Sequence, residues 1–235
     1  MYGPLRLNVS DLAEHARFWV DTLGGAAVSP DLIVFPNVRL SLVRRTPSGG
    51  TKGTPVNHIG FAVPDVRAAV ARTRAAGYPL VTRAELPDRF ETRDDVAFIE
   101  PLNTSVAFTM GPDEFKVEFF EVPSARLPYA LHHIHFFSAD HERMKAWYAE
   151  MFGALPGDRG PFQAVDLPGS VNLTFSPASG PVQPTRGRVL DRIGLEVDDM
   201  AGLRARLASK GIALEGSELT DPWGTTIEIS GTSRS

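Results

Sequence analysis

The chain has 235 residues, 43% of them apolar and 22% charged, a balance that can bury a sizeable core in one large domain or two small ones. A net charge of -4 without a basic run excludes a general nucleic-acid or anionic-membrane surface, and the absence of cysteine excludes disulfides and thiolate metal sites. Any metal must therefore be held by histidine, carboxylate, amide or water oxygen. The opening MYGPLRLNVS lacks the apolar core of a signal peptide and no stretch could span a bilayer, so a cytoplasmic location is expected.

In chain order, residues 5–24, LRLNVSDLAEHARFWVDTLG, read as a strand, an Asp11 cap, a helix and a glycine stop. The same plan recurs at 57–77, NHIGFAVPDVRAAVARTRAAG, at 131–154, LHHIHFFSADHERMKAWYAEMFGA, and at 191–211, DRIGLEVDDMAGLRARLASKG. Asp65, Asp140 and Asp199 stand at the cap position, and Gly77, Gly153 and Gly211 end the helices. Each unit continues into strand-rich sequence with turn residues. In the second and fourth units the last strand carries one carboxylate, six residues after a proline: Glu118 after Pro112 and Glu228 after Pro222.

The chain is thus four copies of one strand–helix–strands module. Gly/Pro-rich connectors at 46–55 and 176–188 join the odd modules to the even ones, and PSARLPY at 123–129 separates the halves. Two domains are expected, 1–123 and 130–235, each holding two modules.

The NHIGFAVPD and LHHIHFFSAD openings, the FW and WY helix endings and the DPWGTTIE close resemble the vicinal oxygen chelate superfamily, the group of glyoxalases, bleomycin-resistance proteins and extradiol dioxygenases. The resemblance covers nearly the whole chain. It implies an α+β fold of four βαβββ modules, paired into two open barrels. It also implies a divalent metal, Fe, Mn, Zn or Ni, held by His on a module's first strand and Glu on its last.

Carried over position by position, the second module offers His58 and Glu118, the third His133 and Asn172, and the fourth Arg192 and Glu228, while the first offers only Pro4. Two pairings follow. Joining the modules in sequence gives a barrel that could use His133, His135 and Glu228, because His135 shares a strand face with His133. Joining the second module to the third collects His58, His133 and Glu118, with Asn172 nearby as an oxygen donor. The rule that consecutive elements sit together favours the first.

Plainer readings stand beside these. Strand alternation alone could turn Glu118 and Glu228 to solvent. Arg192 is either a site for an anionic substrate group or a surface arginine paired with Asp191 or Glu196. His132 should face away from His133, and His15 and His141 should be solvated. Trp19, Trp147, Tyr148 and Phe152 should be core.

The expected function is a metal-dependent enzyme on an oxygen-chelating small molecule, a lyase, isomerase or diverged dioxygenase, with homodimer formation allowed for. Segment 214–220, LEGSELT, lacks the His and Tyr of the extradiol pattern, and neither half holds the four ligands of a glyoxalase. The alternative is a metal-free protein that sequesters an aromatic ligand in the same hollow.

Overall fold

The computed structural model describes residues 3–159, 162–167 and 171–231. The first module comprises β1 (Leu5–Val9), α1 (Leu12–Ala16) with a π-helical extension (Arg17–Thr22), β2 (Ala26–Ser29), β3 (Leu32–Phe35) and β4 (Val38–Arg44). The second comprises β5 (Val56–Val63), α2 (Val66–Ala75), the one-turn α3 (Thr82–Glu85), β6 (Thr92–Arg93), β7 (Val96–Ile99), β8 (Thr104–Met110) and β9 (Lys116–Glu121). The third has β10 (Ala130–Ser138), α4 (His141–Phe152), β11 (Leu155–Arg159), β12 (Phe162–Leu167) and β13 (Val171–Pro177). The fourth has β14 (Leu190–Val197), α5 (Met200–Ser209), β15 (Glu218–Thr220) and β16 (Thr226–Gly231). The turn expected within FQAVDLPGSVNLTF, at 168–170, lies outside the described residues.

Three of the four aspartates cap as the sequence suggests. Asp11 accepts from the Ala13 and Glu14 amides, Asp65 from Ala68 and Asp199 from Gly202. Asp140 does not. Its carboxylate instead accepts from the Ser138 hydroxyl and the Trp223 indole N–H, which ties the third module to the fourth. Gly153 closes α4 in the left-handed conformation at φ 66°, where a β-carbon would be strained.

The strands form two sheets. One runs β15-β16-β14-β1-β4-β3-β2, the other β11-β12-β13-β10-β5-β9-β8-β7-β6. The first module therefore joins the fourth through antiparallel β1–β14, and the second joins the third through antiparallel β5–β10. This overturns the sequential pairing and realises the swapped one. Connector length limits how far apart two modules lie. It does not choose which sheet edge each one offers.

The first and second modules, and the third and fourth, do touch, through aromatic side chains on the helices of the odd modules. Trp19 of the first module packs edge-on to Phe115 of the second at 5.1 Å and lies 6.4 Å from Phe61 of β5. Trp147 of the third meets Trp223 of the fourth at 6.1 Å. These aromatic side chains are core, as their helical spacing suggests. The two connectors lie side by side: Ser48 N–H donates to Gly187 O, Val189 N–H to Gly49 O and Gln183 N–H to Gly53 O.

His15 is fully buried, against expectation. It falls on the helical stripe of Phe18 and Trp19, where Nδ1 accepts from the Trp19 indole at 3.1 Å and Nε2 lies 3.0 Å from Asp113. A buried imidazole on an apolar stripe persists because both nitrogens are satisfied.

Each sheet takes strands from both halves of the chain, so neither half can close a sheet alone. Fragments 1–126 and 127–235 are each expected to melt without cooperativity by circular dichroism, and to copurify and melt cooperatively when produced together.

Candidate metal centre

The nine-stranded sheet brings His58, Glu118, His133 and His135 together on one face. Four of their donor atoms lie within 4.8 Å of one another, and all four residues are buried. Register explains the convergence. His135 of β10 stands opposite His58 of β5, and His133 stands opposite Gly60, which in turn pairs with Glu118 of β9. His133, Gly60 and Glu118 thus form one row across three strands. The glycine leaves the space in which the His133 ring lies: a β-carbon at Gly60 would sit 2.2 Å from its Cε1. Across that gap Nε2 of His133 reaches Glu118 Oε2 at 3.0 Å, and Nε2 of His58 reaches the same oxygen at 3.1 Å.

Two β-bulges prepare the imidazoles. The β5–β10 register skips one residue at His132 and one at Asn57, each immediately before a cluster histidine. A bulge lets neighbouring side chains turn to the same side of a strand. Asn57 Oδ1 lies 3.0 Å from His58 Nδ1, and His132 Nδ1 lies 2.9 Å from His133 Nδ1. His132 also stacks on Phe120 at 4.2 Å. It therefore does not face away from His133 as alternation implies, because alternation fails at a bulge. His135 Nε2 bonds the Ser176 hydroxyl at 2.9 Å.

Electrostatics fit a cation. Burial lowers the His58 pKa to about 4 against the opposing interaction with Glu118, and burial together with the neighbouring His58 and His133 pushes His135 well below the ordinary imidazole value. Burial resists ionisation of Glu118, but hydrogen bonds from His133 and His58 overcome it and hold the carboxyl well below the usual range. At neutral pH the neutral His58 ring has one N–H. When that proton goes to Asn57, the Nε2 lone pair and the Glu118 carboxylate converge on one point, an arrangement that a divalent ion satisfies and that bare acceptors do not. The buried His/Glu group thus suits a divalent metal.

The cluster floors a cavity of about 470 Å³ walled by Phe90, Phe108, Phe120, Phe137 and Phe162. His141, expected on a solvated helix face, lines it too, and its Nδ1 is buried with no hydrogen-bond partner. A larger, more open groove of about 760 Å³, lined by Arg67, Arg93 and Phe98, contains none of these histidines.

No protein-family model matches the chain, and no curated protein matches its sequence. Solved structures do. Glyoxalase I from Zea mays superposes with a TM-score of 0.70 at 16% identity, over 96% of this chain and 90% of that one. A protein from Bacillus subtilis subsp. subtilis str. 168, provisionally named a dioxygenase, gives 0.65 at 14% identity, over 98% and 84%. The chain has the vicinal oxygen chelate fold.

Within this vicinal oxygen chelate fold, the other proposed site residues fall elsewhere. Glu228 lies on β16 of the seven-stranded sheet, opposite Gly194 as Glu118 is opposite Gly60. Arg192 and Arg6 face one another there at the positions of His58 and His135. Arg192 is committed to ion pairs with Asp191 and Glu218, and Glu218 pairs with Glu228 across β15–β16. Among the described residues, this second hollow gathers no ligand cluster.

Asn172 is buried on β13, where its amide donates to Asp166 and its carbonyl accepts from Thr174. It lies outside the cavity lining. Thr174, directly opposite His135, holds the position that Glu118 holds opposite Gly60. Asn172, which the sequence match puts at that position, stands two residues away from it, a slip that preserves strand face and so leaves no trace in the alternation. His135 projects where the second module has Gly60, beside the threonine that replaces a carboxylate.

Gly60→Ala should displace the His133 ring. Metal affinity is expected to fall at least about tenfold, as when the support of a ligand is removed, with the circular dichroism spectrum unchanged. Metal-stripped protein should also lose stability in acid. Between about pH 6.5 and about 4 the unfolded chain protonates His58 and the folded chain does not, so stability falls as pH falls. Glu118 acts in the same direction, its contribution being lost as pH drops through its depressed pKa. The His58 part is on the order of 3 kcal/mol. Melting temperature against pH is expected to fall more steeply for the wild type than for His58→Gln.

Proposed function

We propose that the chain is a metal-dependent enzyme that acts on a small molecule through two adjacent substrate oxygens, with His58, His133, His135 and Glu118 as the metal ligands. The carrying observation is the convergence of three imidazoles and one carboxylate, from three adjacent strands, on the floor of an aromatic-walled cavity. Three imidazoles and one carboxylate are borderline nitrogen and hard oxygen donors that suit Fe, Mn, Zn or Ni, and four protein ligands leave positions of an octahedral ion open to two substrate oxygens. When bound, such an ion would supply Lewis-acid or, as iron, redox chemistry.

The residues of the chain have separable tasks. Asn57 and His132 fix the two bulge-borne imidazoles, and Ser176 fixes the third. The phenylalanine walls hold a planar body and exclude water. His141 is the one imidazole in the lining outside the cluster and is the candidate proton acceptor from substrate. A lyase or isomerase reaction needs such a base and no oxygen, whereas a dioxygenase consumes oxygen. Anaerobic turnover separates them.

Protein purified without chelator is expected to carry close to one equivalent of divalent metal by elemental analysis. His58→Ala, His133→Ala and Glu118→Gln should each lose most of it, and Glu228→Gln should keep it. A metal-free wild type that binds bulky aromatic ligands tightly, without turnover, would instead support sequestration.

A further inference from the structure

The cavity contains a buried cation that the metal reading does not use. Lys116 lies on β9 two residues from Glu118, hence on the same strand face and about 7 Å along it. It is 2% exposed and lines the cavity. Its ammonium donates to Glu85 Oε2 at 2.6 Å. An ammonium has three donors, and the other two have no acceptor among the described residues. Phe108 lies beside it, the ring centroid 5.8 Å from Nζ. A cation placed so deep with donors in reserve is unfavourable unless a further partner arrives.

Glu85 is suited to give way. It ends α3, and its other oxygen accepts from Lys52 at 2.9 Å, where Lys52 is mostly exposed. If an anionic group takes Lys116, Glu85 keeps one cation. The segment that follows is braced: Arg83 donates to Leu86 O, Phe90 O and the Asp88 carboxylate. Glu85, Leu86, Pro87, Arg89 and Phe90 all line the cavity. This wall can therefore stay in place while one carboxylate turns.

Charge points the same way. A divalent ion and the Glu118 carboxylate leave one net positive charge beside the buried Lys116–Glu85 pair, and Lys52, 60% exposed, adds its charge from the solvent side. Arg89, exposed and stacked over Phe90, also lines the cavity. A neutral chelator would leave this excess uncompensated in a low-dielectric cavity.

We propose that Lys116 anchors a carboxylate arm of the substrate and that Glu85 is the counterion this arm displaces. The substrate class is accordingly a chelating molecule with a second anionic group a few bonds from its two oxygens. The inference rests on the proposed metal centre for the position of the chelating end.

Butanohydroxamate and succinate monohydroxamate chelate alike and differ only in a terminal methyl or carboxylate. Titration calorimetry on the metal-loaded full chain is expected to show at least about tenfold tighter binding of the carboxylate form. Lys116→Met should bring the ratio to about one. Glu85→Gln should raise it severalfold, because the competing carboxylate is gone, and this gain cannot arise from misfolding. Equal affinity in the wild type, or a preference that survives in Lys116→Met, overturns the anchor. Metal content of the same samples separates the two readings. An empty cluster with a Lys116-dependent preference sinks the metal centre and keeps the anchor; an empty cluster without one overturns both.

Discussion

The antiparallel contact between β5 and β10 is the constraint on which the site depends. It places His58 beside His135 and His133 over Gly60, and it brings Glu118 within reach of both flanking imidazoles. A shift of one residue in this register would turn these histidines to the opposite face of the sheet. The two bulges work within the same contact, each adding one residue that steadies the next histidine. Hydrogen bonds between two strands from opposite halves of the chain thus set ligand position, ligand orientation and the shape of the floor together.

The two sheets show what such a scaffold keeps and what it discards. Both pair a first strand with a first strand and keep a glycine in the row that carries a glutamate, Gly60 with Glu118 and Gly194 with Glu228. Backbone geometry is retained, but where the nine-stranded sheet has His58 and His135, the other has Arg192 and Arg6. Guanidinium groups repel a cation, and Arg192 is neutralised by its own carboxylates. Among the described residues, the seven-stranded sheet thus keeps the backbone row without the imidazoles.

Much of this was legible in the residues. The module repeats announced the fold, three aspartate caps bonded as expected, and the alternation of His133 and His135 placed both on one face. Pairing was not legible, because edge choice depends on contacts summed over whole strands and connector length is silent about it. His132 does not follow the pattern because a bulge breaks the period of two, and alternation cannot tell Asn172 from Thr174 because a slip of two residues keeps the strand face. Lys116 and His141 gave no local signal. The first gains meaning only from Glu85, 31 residues away, and the second only from the wall opposite it.

The swapped arrangement also bears on how the molecule is made. Asn8 on β1 bonds Asp191 on β14, a partner 183 residues later in the chain. During synthesis the first module must wait, one sheet edge open, until nearly the whole polypeptide has emerged. The nine-stranded sheet, whose central strands are much closer in sequence, can assemble earlier. Loop-closure entropy then makes the β1–β14 seam the late step of folding, and an open strand edge in the interim is a template for misplaced pairing.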